Sequence, residues 1–112
     1  ANPLVVPSAA NLTLTHIMLQ KYIALYIHGA LETWVDMRRY HYVDIDENTG
    51  QQVYRDFVPP SGSDLFVNNA GKLVYRVRPR YNSEYVWNLN ELNRIGAGAL
   101  DYHTKRCWFS EP

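Results

Sequence analysis

Residues 14–39 contain no proline and a single glycine, Gly29, and carry apolar side chains on two sides. No other feature constrains the fold of this chain so strongly. Thr13 or Thr15 supplies a candidate N-cap. Leu19, Tyr22, Ile23, Tyr26, Ala30, Trp34 and Met37 then recur at three- and four-residue steps, which predicts one continuous long helix. Ile17, Ala24, Ile27, Leu31 and Val35 lie largely round the other side. A chain of 112 residues holds material for one core and can cover one side of such a helix, hardly both. The expectation is an apolar strip that needs a partner.

Beyond the helix the pattern turns to strand and turn. Residues 40–45 alternate, Asp46-Glu47-Asn48-Thr49-Gly50 is a turn cluster and residues 51–58 return, which reads as a hairpin. After the Pro59-Pro60-Ser61-Gly62-Ser63 break, a second hairpin is expected from residues 64–67, the turn Asn68-Asn69-Ala70-Gly71 and residues 72–77. Arg76, Arg78 and Arg80 would then face the same way on an extended strand. A short helix is expected over 85–93, with Asn82 or Ser83 near its start and Gly96 and Gly98 near its end. The predicted fold class is mainly α with irregular segments and two β-hairpins. The predicted organisation is a single segment, 1–112: an extended lead-in over 1–12, the long helix over 13–39, hairpins over 40–81, and a short helix with an aromatic tail over 82–112.

Composition narrows the function. The chain is 46% apolar and 20% charged, in the globular rather than the disordered range. Eleven Lys plus Arg balance eleven Asp plus Glu, so the global basic field of a nucleic-acid binder is missing. One cysteine, Cys107, closes no internal disulfide and builds no zinc finger. No apolar run approaches the roughly 18 residues that cross a bilayer. Nine tyrosines, three tryptophans and eight arginines among the eleven cations supply flat bodies with polar tips, suited to binding surfaces and to tying irregular structure together.

Candidate chemistry is sparse. His16 and His28 share the helix but stand twelve residues apart, too far to hold one ion, and His41 and His103 lie elsewhere. Asp44, Asp46, Asn48 and Gly50 resemble the front of a calcium loop, yet Arg55 occupies the position of the closing carboxylate, which favours a plain turn. Glu32 and Asp36 stand one helical turn apart beside Arg38 and Arg39, and a structural network is favoured over acid and base roles. The arginine stripe with Tyr75 and Tyr81 suits an anion, though acidic neighbours suit it better. No catalytic residues, metal ligands or cofactor are predicted.

Three blocks in sequence then suggest a family. Gln20-Lys21-Tyr22-Ile23-Ala24-Leu25 with Gly29, Glu32, Trp34, Asp36, Arg38 and Arg39 resembles a helix near the C-terminus of SusD/RagB-type outer-membrane lipoproteins of Bacteroidetes. Arg78-Pro79-Arg80-Tyr81-Asn82-Ser83-Glu84-Tyr85 with Asn88 and Asn90 is similar to a second family element, and Arg106-Cys107-Trp108-Phe109 to its aromatic end. Tyr40-His41-Tyr42 stands where the family often has Thr-Gly and a proline, and Pro79 is displaced, which suggests a divergent branch. The resemblance implies the C-terminal part of a larger tetratricopeptide-containing α fold, preceded by helical repeats and a lipid anchor. It implies a non-enzymatic surface protein of the outer membrane that captures oligosaccharides, or in some branches peptides, for a TonB-dependent transporter. This segment would be mainly structural, and no ligand-binding residue is carried over. The alternative is an independent small carbohydrate- or peptide-binding module, with Tyr54, Tyr75 or Trp87 as a stacking platform. An enzyme using Glu32 and Asp36 is the remote option.

Overall fold

A computed structural model describes residues 7–111. The part of the expected lead-in over 1–6 lies outside the described residues, and its remainder holds a short 3-10 turn, Ala9–Asn11. The chain is mostly helical elements and irregular segments, with one two-stranded antiparallel hairpin. Its contacts divide it into two units, residues 1–58 and 59–112.

In the first unit the expected single long helix is two helices. Helix α1 is Leu14–Ala24 and helix α2 is Ala30–Arg39. Thr13 caps α1 in a capping box, its hydroxyl accepting from the His16 amide while His16 Nδ1 accepts from the Thr13 amide. The break over 25–29 has local causes. Ile27 sits in the left-handed region at φ 72°, which ends α1, and the Gly29 amide closes the turn onto the Leu25 carbonyl at 2.7 Å. A Cβ on Gly29 would stand 2.6 Å from Leu25 Cδ2, so the missing side chain is what lets the turn close.

Residues 40–42 are not strand. Tyr40 caps α2, His41 takes the left-handed position at φ 44°, and the Tyr42 amide reaches back to the Met37 carbonyl, a Schellman ending built without glycine. The hairpin shrinks to β1, Ile45–Asp46, paired with β2, Gln51–Gln52, with Ile45 opposite Gln52. The small core of this unit is Met18, Val53 and Tyr54, with Leu14, Leu19, Met37, Tyr40 and Phe57 against it. The buried hydroxyl of Thr15 donates to the Gln52 carbonyl and joins α1 to the hairpin.

In the second unit the expected second hairpin is absent among the described residues. The turn forms, with Ala70 and Gly71 both left-handed, but the segment leading into it holds 3-10 turns, Gly62–Asp64 and Val67–Asn69, in place of a strand. The returning segment pairs with the tail instead: the Tyr75 and Arg76 amides both donate to the His103 carbonyl, and Cys107 Sγ donates to the Tyr75 carbonyl. A π-type turn, Tyr81–Tyr85, leads to α3, Leu89–Arg94, shorter and later than expected. Gly96, at φ 72°, ends it in a Schellman motif as the sequence suggests. Leu92, Ala97 and Tyr102 form the core, with Tyr85 against them. Among the described residues no helix is long and apolar enough to cross a membrane.

Candidate functional site

Within the first unit, the break between α1 and α2 opens an apolar groove of about 430 Å³ lined by Tyr22, Leu25, Tyr26, Ile27, Ala30, Thr33, Trp34 and Met37. Trp34 is fixed from both ends: its Nε1 donates to the Tyr42 hydroxyl at 2.9 Å, and the Arg38 guanidinium lies 3.7 Å over its ring while Arg38 Nε donates to the Trp34 carbonyl. Asp36 is buried, with Lys21 Nζ at 2.5 Å and Arg39 at 3.9 Å. The expected arginine contact is present, but a lysine from α1 is the closer partner. Its bridge ties the two helices together across the break. Glu32 is exposed, so the two carboxylates do not share one environment.

Tyr54, beneath this network, is 3% exposed. Burial pushes its phenol well above the ordinary tyrosine value, and the charge of Asp36 adds to the effect. The candidate calcium-loop residues are spent on local structure. Both Asp46 oxygens accept from the turn, Oδ1 from the Asn48 amide and Oδ2 from the Thr49 hydroxyl, and Asp44 pairs with His41 at 2.8 Å. His16 caps α1, His28 is exposed and His103 Nε2 lies 2.6 Å from Asn69 Oδ1. Among the described residues no three His, Cys, Asp or Glu side chains converge as a metal site would require.

Within the second unit, the arginine stripe is dismantled into clamps. Arg76 donates to the Lys105 and Arg106 carbonyls and to the Tyr102 hydroxyl. Arg78 donates to the carbonyls of Leu100 and Ala99 and to the Tyr85 hydroxyl, which itself donates to the Ala97 carbonyl. Arg80 is exposed. The acceptors are neutral carbonyls rather than the acidic neighbours the sequence suggests. Of the three candidate stacking aromatics, Tyr54 and Tyr75 are buried, whereas Trp87 is 84% exposed. An exposed indole with no binding role expected from the sequence is Trp108, 86% exposed. Its one signal was a place in an aromatic tail beside two cations.

Comparison of the chain with family models, with curated proteins and with solved structures finds no match.

Proposed function

We propose that this chain is the C-terminal structural segment of a SusD/RagB-like surface protein, a non-enzymatic binder that captures oligosaccharide and passes it to a TonB-dependent transporter in the outer membrane. The observation that carries this reading is the apolar surface that α1, α2 and the turn between them leave uncovered. Ile17, Ile23, Tyr26, Ile27 and Leu31 are all exposed, and Ile27 and Leu31 each keep three quarters or more of their surface in solvent. Apolar surface of this extent on helices asks for cover, and a preceding array of helical repeats supplies it. The residues of the resemblance have structural work here: Lys21 and Asp36 tie the two short helices together across the break, while Arg38 and Tyr42 fix Trp34.

The test is photo-crosslinking from position 27 in the full-length gene product, expressed in its own host. Adducts within the same polypeptide, together with co-purification of an outer-membrane β-barrel transporter, are the expected outcome. A face that crosslinks to nothing, or only to a second copy, would remove the support for this reading.

A further inference from the structure

His103 joins three pieces of the second unit. It lies in the 3-10 turn Tyr102–Thr104 and is 7% exposed. Its carbonyl accepts the Tyr75 amide at 2.9 Å and the Arg76 amide at 3.1 Å. Its ring meets the turn over 66–71, where Nε2 lies 2.6 Å from Asn69 Oδ1. Asn69 is 3% exposed and is set by its own backbone, its amide donating to the Phe66 carbonyl and its carbonyl accepting from the Lys72 amide. An oxygen facing Nε2 places the ring proton there and leaves Nδ1 with a lone pair. Nδ1 is buried and has no hydrogen-bond partner among the described residues.

A neutral imidazole fits this place and an imidazolium does not. The charged ring carries a donor on each nitrogen. Asn69 satisfies one, and the other would be an N–H buried with no acceptor, on a charge taken out of water. The neighbours do not compensate. Phe66 stands 6.2 Å away and tilted at 48°, outside the roughly 6 Å at which a ring face holds a cation. The segment over 72–76 brings Lys72, Arg76 and the Tyr75 phenol, and the turn and tail bring Tyr102, Lys105 and Arg106. The carboxylates are Asp64, which is exposed, and Asp101, whose side chain is 38% exposed and 4.0 Å from Lys72. Among the described residues neither lies within ion-pairing distance of the His103 ring.

We propose that His103 and Asn69 form an acid-sensitive latch: protonating the imidazole frees the turn over 66–71 and the segment at 75–76 from the tail, while α3 stays packed. The link from ring to segment is the residue itself. A ring that leaves for water carries its carbonyl with it, and the Tyr75 and Arg76 amides lose their acceptor. Since the neutral ring is the form the fold accommodates, the latch is closed at neutral pH and opens as pH falls. The other histidines lack this arrangement: His16 caps α1, His41 pairs with Asp44 and His28 is exposed. The latch goes beyond the proposed function and does not depend on it.

The experiment is amide hydrogen exchange on the 112-residue chain at pH 7.5 and pH 5.0, read by NMR as protection factors so that the intrinsic pH dependence of exchange cancels. Protection of the Tyr75 and Arg76 amides is expected to fall at least tenfold at the lower pH. That of Leu92 and Ala97, whose amides bond within α3 and just beyond it, should change by less than threefold. His103→Gln keeps a donor for Asn69 and does not titrate, so it should remove the response. Asn69→Asp offers the imidazolium a carboxylate and should reverse the direction, with higher protection at pH 5.0. His28→Gln should respond like the parent. The proposal is overturned if the parent's two amides are equally protected at both pH values, or if Leu92 and Ala97 lose protection along with them. It is overturned equally if His103→Gln responds like the parent, or if Asn69→Asp still loses protection in acid. Where His103→Gln fails to fold, the Asn69→Asp result decides alone.

Discussion

Asp36 shows how one residue can be read from sequence and still be misjudged in its partner. Its place one turn beyond Glu32 and beside two arginines announces a carboxylate in a network, but the decisive cation, Lys21, comes from the other side of a helix break that the sequence does not advertise. The two partners are unequal, since Asp36 is buried and Lys21 is 44% exposed at its side chain. Lys21→Met strands a buried carboxylate and should cost about 2 kcal/mol, whereas Asp36→Asn releases an ammonium that simply rehydrates and should cost about 1 kcal/mol. Urea unfolding of both variants, and of Lys21→Met combined with Asp36→Leu, checks the asymmetry; the double variant should recover most of the loss. Tyr54 carries a second expectation. Its phenol is raised in the folded state, so its contribution is fully present below the ordinary value near 10 and is lost as pH rises above it, by about 1.4 kcal/mol per pH unit. Melting temperatures measured from pH 8 to 11 should therefore fall more steeply for the parent chain than for Tyr54→Phe.

Elements were legible where their signals are local. The Thr13 cap, the end of α2 at Arg39, the Asp46–Gly50 turn and the Gly96 terminator each depend on a few neighbouring residues, and each stands where the sequence puts it. The failures are of two physical kinds. Residues 72–77 have strand-like alternation, but backbone donors take whichever acceptors the tertiary fold offers, and for Tyr75 and Arg76 that acceptor lies far along the chain, at His103. The long helix fails at Ile27, a β-branched residue in a conformation that glycine or asparagine would adopt more readily. Ile27 contributes little burial in return, at 78% exposed. Ile27→Asn should therefore raise stability by about 1 kcal/mol, by relieving the left-handed strain without glycine's entropy. A chemical denaturation midpoint reads the gain, and a fall in that midpoint would mean that Ile27 is held in place by contacts worth more than its strain.

For the chain as a whole, the balance of buried and exposed apolar surface decides what kind of object it is. Among the described residues eight hydrophobic side chains are buried, three in a small cluster in each unit with Tyr42 and Tyr75 outside them, while twenty large ones are exposed. Such clusters hold short helices and turns in place but leave little margin, since a domain's net stability is only about 5–15 kcal/mol even with a full core. The uncovered residues of α1 and α2 then make opposite demands in two contexts. In the isolated 112-residue chain Ile23 and Leu31 face solvent, so Ile23→Glu with Leu31→Lys should change stability by less than about 0.5 kcal/mol and should reduce hydrophobic-dye binding and self-association. In a full-length product whose other helices cover this face, the same pair places two charges in a helix interface and removes two anchors, at about 4 kcal/mol or more. Analytical ultracentrifugation and dye fluorescence on the chain, set beside thermal melting of the full-length product, read both sides. A full-length product that melts unchanged would mean that the face stays in water there too, and the apolar strip would then have to serve a partner that arrives from outside the polypeptide.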